Sequence, residues 1–141
     1  MPLREVKVTD PNVVQAAASV LAVDTTTTST TYSDLLTLTM TLAGSTNLLI
    51  WSNFTTSFSA NVGNTGRFRL VVDGVAQLFC GEEEFTVPQA SSMVFRATGL
   101  SAGSRVIALQ WRIGTAGEGT FRCRPSVQPE GAAILALEVL V

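Results

Sequence analysis

The residue types that most often perform chemistry are scarce in this chain, and their spacing narrows what they could do. It contains no histidine, which removes Ser-His and Cys-His nucleophilic catalysis together with the commonest metal ligand. Glu82, Glu83 and Glu84 form the one carboxylate cluster. Such oxygens could hold calcium, but consecutive glutamates on a loop read first as a solvated acidic tip. A carboxylate pair working across a glycosidic bond has no cleft-forming insertion to sit in. Cys80 and Cys123 are the two cysteines, too far apart for a zinc ribbon or a CxxC redox pair; they read as two small core hydrophobes or, in an oxidising setting, a disulfide. Neither a dinucleotide-binding GxGxxG nor a P-loop pattern occurs. The expectation is a protein that is not an enzyme and uses no cofactor or metal.

Arg112, Arg122 and Arg124 are the cationic candidates. They fall in the stretch around which the chain is organised, Arg105 to Val141, which holds the segments RVIALQWRI, TFRCRP and AAILALEVLV. Three extended segments joined by two short turns predict an antiparallel meander. The arginines then share its polar face on neighbouring strands, either clamping an acidic partner through bidentate contacts or keeping an edge soluble.

Period-two alternation reveals the elements that would position them. In the first segment Ile107, Leu109, Trp111 and Ile113 face the core, and Val106, Ala108, Gln110 and Arg112 face away. The last run is apolar on both faces: Ala133, Leu135, Leu137, Val139 and Val141 on one, Ile134, Ala136 and Leu140 on the other, broken by Glu138 alone. An antiparallel sheet normally wets one face, so the second face must meet another layer or another subunit. Ile134 and Leu140 are the subunit-contact candidates, with Asp34 and Glu138 as possible polar partners. Upstream, Leu36, Leu38, Met40 and Leu42 alternate with Thr37, Thr39 and Thr41, a half-buried strand. Leu48, Ile50, Phe54 and Phe58 share a face of the next long strand. In GRFRLVVDGVAQLF, Phe68, Leu70 and Val72 point inward and Arg67 and Arg69 outward, around an Asp73-Gly74 pair suited to a type I′ turn. SSMVFRATGL is a further strand. About eight strands with almost no helical period predict an all-β fold, an antiparallel β-sandwich of jelly-roll type.

Residues 1–22 read as an N-terminal arm or leader, and residues 23–141 as the sandwich domain. Leu3, Val6, Val8, Val13 and Val14 are the arm's candidate contacts with a neighbour. From Val13 to Val23 the pattern fits extended chain, a short helix or a first strand. TTTTSTT, from Thr25 to Thr31, reads as a solvated loop or a polar edge.

Composition adds a constraint on partners. Charged residues are 14% of the chain, where about 25% is usual, and the mean hydropathy is +0.34. Too little charge is present to cover the surface, which implies a permanent protein interface or a membrane. No apolar run reaches the ~18–20 residues of a spanning helix, so the interface is expected and no membrane partner. A net charge of −2 gives no attraction to nucleic acid. The opening MPLREVKVTD carries charges and a proline where a secretory signal would have an apolar core, so synthesis in the cytosol is expected.

The succession TTTTSTTYSDLLTLTMTL, STNLLIWSNFTTSFS, GRFRLVVDGVA, ATGLSAGSRVIALQWRIGTAGEGTFRCRP and AAILALEVLV resembles a β-sandwich module of small structural proteins and fibre tips of tailed bacteriophages. The likeness covers nearly everything after Val23. The chain departs from that pattern at Arg105 and in having Gly131-Ala132 where a histidine often stands. The resemblance implies a virion component, usually trimeric. It suggests a capsid decoration or cement protein on the capsid surface, assembled in the host cytoplasm and bound to the major capsid protein. The alternative it implies is a fibre tip that binds a cell-surface receptor or carbohydrate, with Trp51 or Trp111 stacked on a sugar.

Overall fold

The structure is a computed structural model, and it describes residues 13–44, 46–59, 65–82, 88–116, 119–126 and 131–140. Its strands are β1 (Val13–Val20), β2 (Thr25–Thr27), β3 (Ser33–Leu42), β4 (Thr46–Phe58), β5 (Gly66–Val72), β6 (Val75–Glu82), β7 (Gln89–Leu100), β8 (Gly103–Ile113), β9 (Phe121–Cys123) and β10 (Ala132–Val139). Where the sequence alternates cleanly, the strands form as expected. Leu38, Met40 and Leu42 of β3 are buried between exposed threonines, and the inward residues of β4, β5 and β8 all lie in the core. Asp73 and Gly74 carry φ of 50° and 80°, the positive pair that matches a two-residue hairpin to the strand twist.

Two antiparallel sheets pack face to face. One runs β1-β10-β4, with β7 on β4 and the short β9 and β2 added at the Phe58 end of β4; the other runs β3-β8-β5-β6. Apart from the β5–β6 hairpin, successive strands from β3 to β8 lie in opposite sheets, the wrapping of a double-sheet jelly roll. Stacked rings fill the space between them. Phe54 lies 3.9 Å from Phe68, and Phe121 lies 4.6 Å from Phe58, 5.4 Å from Phe68 and 5.3 Å from Trp111. Phe121 closes against Gly66, where a Cβ would overlap the ring. That glycine gives the ring its room on the backbone of β5.

Three expectations are corrected. The C-terminal segments make no meander: β8 pairs with β3 and β5, β9 with β2 and β4, and β10 with β1 and β4. Alternation sets which face of a strand is buried but not which strand it pairs with: from β8 to β9 the chain passes from one layer to the other, and β9 and β10 then pair with different stretches of β4 instead of with each other. Second, the anticipated arm is in part a strand. Val13 and Val14 begin β1, which pairs with β10 from Val13↔Val139 to Val20↔Ala133. Gln15 straps β1 down by donating to Thr41 O and Glu138 Oε2, each at 2.5 Å. Leu3, Val6 and Val8 lie outside the described residues. Third, Ile134 faces the core with no exposed surface, as do Ala132 and Ala136. The outward residues of β10 are Ala133, Leu135, Leu137 and Val139.

Candidate interaction surfaces

The register of the six-stranded sheet assembles the outward residues of four strands into rows. Val94 of β7, Trp51 of β4, Leu135 of β10 and Ala18 of β1 form one. Arg96, Leu49, Leu137 and Ala16 form the next, and Ser92, Asn53, Ala133 and Val20 the third. Side chains directly opposite lie about 4.5–5.5 Å apart, so the rows merge into one face. Val94 is 51% and Val20 58% exposed, while Leu49, Trp51, Leu135 and Leu137 are half-buried among one another. Trp51, Asn53, Ala133, Leu135 and Leu137 line a shallow depression at its centre. Arg96 is the single charge in these rows.

The outer face of the four-stranded sheet differs in chemistry. Phe79, Arg69, Gln110 and Asp34 lie in one cross-strand row, and Arg67 stands opposite Arg112 in the next. Arg69 Nε donates to Gln110 Oε1 at 2.7 Å, and Gln110 Nε2 donates to Asp34 Oδ1 at 2.7 Å. Tyr32 sits under both guanidiniums, its ring centroid 4.2 Å from Cζ of Arg69 and 5.1 Å from that of Arg112, and meets Phe79 edge-on.

The three arginines singled out in the sequence therefore do not make one clamp. Arg112 belongs to that second face and donates to Thr30 O and Ile113 O. Arg122 lies in β9 of the other sheet, half-buried, with Nη2 donating to Phe58 O at 2.9 Å. Arg124 follows β9 near Asp24, whose carboxyl is held below its ordinary value by hydrogen bonds from the Ser126 side chain and backbone, with the Arg124 charge adding to them. Leu140 follows β10 and is 54% exposed. Trp111 is buried in the core, and Trp51 is the tryptophan at the surface. Cys80 and Cys123 are not joined in a disulfide; burial pushes the Cys123 thiol up to about 12, so it is no nucleophile at neutral pH.

Glu138 is internal too. Burial alone would raise its pKa, but hydrogen bonds from Gln15, Thr46 and the Ala43 and Gly44 backbone outweigh that and hold it below the ordinary carboxylate value. Asp73 is likewise held low, by the Val106 N–H and by Arg105 at 2.8 Å. Among the described residues no group of three or more acids or cysteines is placed to hold a metal ion, and no helix is long and apolar enough to cross a membrane.

Leu49, Val94, Leu135 and Leu137 were not among the interface candidates read from sequence, where Trp51 entered only as a sugar-stacking residue. For Leu135 and Leu137 the signal was present in the two-faced apolar run of β10, but Ile134, on the face turned toward the core, was chosen in their place.

No family model matches the chain, and no curated protein matches it. Among solved structures it is similar to dimeric latent PorU from Porphyromonas gingivalis, with 11% identity and a TM-score of 0.45 over 92% of this chain and 13% of that chain. It is also similar to the infectious bursal disease virus VP2 subviral particle, with 9% identity and a TM-score of 0.44 over 92% of this chain and 38% of that one. The structure of the Gx strain of that virus gives 11% and 0.45 over 94% and 38%. The chain thus spans well under half of each of these proteins, and the likeness is a distant one to β-sandwich domains, without a family assignment.

Proposed function

We propose that the chain is a non-enzymatic virion structural protein, a capsid decoration (cement) protein that binds the major capsid protein and stabilises its shell as a homotrimer. The observation that carries this reading is the apolar outer face of the six-stranded sheet. Four strands about 4.8 Å apart and three rows about 6.8 Å apart give it roughly 400 Å² of sheet; nine of its twelve positions are apolar, roughly 300 Å², within the range of the largest patch of a typical monomer. The whole face is half of the ~800 Å² per partner of a standard interface, the right size for an apolar interface core inside a polar rim. With Arg96 as its one charge, it suits a second copy of this chain better than a charged surface. Burial of apolar area at about 25 cal/mol per Å² would then drive assembly. The resemblance of the motif succession to phage sandwich modules supports the virion setting, and the leader with Leu3, Val6 and Val8 would reach a neighbouring subunit.

A fibre tip that binds carbohydrate is the second reading, favoured by Trp51 beside Asn53 on this face. A bound sugar needs several polar groups around the ring, and Asn53 is the one that lines the depression.

The test is mass in solution by light scattering, alone and after mixing with undecorated shells of the virus that encodes the chain. A trimer that then sediments with the shells is the expected result. A monomer, or an oligomer that ignores the shells, would reject the decoration role, and glycan binding by that species would select the fibre reading.

A further inference from the structure

The outer face of the four-stranded sheet carries an arrangement that the apolar interface does not use. Arg67, Arg69 and Arg112 are three of the nine basic residues of the chain, brought together by the pairing of β5 with β8. Arg67 and Arg112 stand directly opposite each other, where like charges destabilise a sheet. Among the described residues no carboxylate forms an ion pair with them: the ion pair found there is Arg105 with Asp73, and Asp34, in the same row as Arg69, accepts from Gln110. The guanidiniums of Arg69 and Arg112 lie over the Tyr32 ring, with Cζ 4.2 and 5.1 Å from its centroid. Arg69 uses Nε on Gln110 and Arg112 uses Nη1 on backbone carbonyls, so other N–H edges of both remain for a ligand. Phe79, 61% exposed, borders the row on β6.

From this we propose that the face is a docking site for an acidic, extended protein segment. Arg67 and Arg69 are one strand repeat apart, about 6.6–6.8 Å, which is the spacing of alternate side chains on an extended chain. Alternating carboxylates would therefore meet successive guanidiniums in bidentate contacts, while an apolar residue of the segment rests on Phe79. A sugar is disfavoured because a guanidinium already lies over the Tyr32 ring, and a nucleic acid because three arginines are too few to outweigh a net charge of −2 along a phosphate backbone longer than the site. The site lies on the opposite sheet from the apolar face, so it stands or falls separately from the assembly role.

The experiment is fluorescence anisotropy with a labelled peptide of alternating glutamate and threonine, its glutamine counterpart, a sialylated oligosaccharide and a single-stranded DNA. The acidic peptide is expected to bind and to weaken as salt rises from about 50 to 300 mM, and the glutamine peptide not to bind. Arg67→Ala should weaken binding about fivefold, and Arg67→Ala with Arg112→Gln by thirtyfold or more. Thermal unfolding of Arg67→Ala should be unchanged or slightly improved, because the opposed charge is gone. Absence of peptide binding at about 1 mM, equal binding of the glutamine peptide, tighter binding of the sugar or the DNA, or affinity untouched by both substitutions would each overturn the proposal.

Discussion

On the inner side of β10, Glu138 occupies a position where alternation calls for a hydrophobic residue, and its surroundings explain why a carboxylate is stable there. Oε1 accepts from Ala43 N at 3.0 Å and Thr46 Oγ1 at 2.8 Å, and Oε2 from Gln15 Nε2 at 2.5 Å. The side chain thus ties β1 and the β3–β4 turn to β10. Because its pKa is lowered in the fold, its contribution is fully present above the ordinary glutamate value of about 4.3 and is lost as pH falls through the lower folded value. Glu138→Gln places an amide donor among donors and should cost about 2–3 kcal/mol at pH 7. It should also flatten the acid limb of stability, measured by thermal unfolding at pH 7 and at about pH 3.5. A variant as acid-sensitive as the parent would place the sensitivity elsewhere, at Asp73 or Asp24. Gly66→Ala tests a different constraint. The added Cβ would overlap the Phe121 ring, which is held by Phe58, Phe68 and Trp111. A loss of about 1–3 kcal/mol in denaturant unfolding is expected, and an unchanged midpoint would show that the ring yields.

The elements were legible in the sequence to different degrees, for physical reasons. The β5–β6 hairpin was plain, because Asp73-Gly74 supplies positive φ and the flanking residues alternate. Here Gly74→Ala forces a Cβ into φ of 80°, with an expected loss of about 1 kcal/mol read as a lower unfolding temperature. The turn also binds β8, since Asp73 Oδ1 accepts from Val106 N at 2.9 Å and Arg105 Nη1 donates to Oδ2 at 2.8 Å. That long-range tie left no local signal. β1 was obscure because Ala16, Ala17 and Ala18 give no period-two contrast, and its place is set by β10 and by Gln15. The faces of β8 were read correctly, yet its neighbours were not, since pairing in a jelly roll depends on which layer each loop reaches. For the interface, the amount of apolar surface was legible and its placement was not. Glu138 read as a polar partner for a second subunit, because nothing local announces the four donors that wait for it inside.

At the scale of the molecule, the sandwich presents two outer faces of opposite character, one apolar and nearly uncharged, the other ringed with guanidiniums. Adjacent residues of β10 separate what the fold needs from what assembly needs. Ile134 is wholly buried between the sheets, whereas Leu135 points outward in the row with Val94, Trp51 and Ala18. A carboxylate at position 134 would lie unpaired in the core and should prevent folding. A carboxylate at 135 would remain in reach of water in a free protomer and cost little there, but would be desolvated where another copy covers the face. Leu135→Asp should therefore keep the unfolding profile of a sandwich while light scattering reports the single-chain mass of 14.9 kDa. If Leu135→Asp keeps the parent's oligomeric mass, the apolar face is not where copies meet, and the assembly role loses the observation on which it rests.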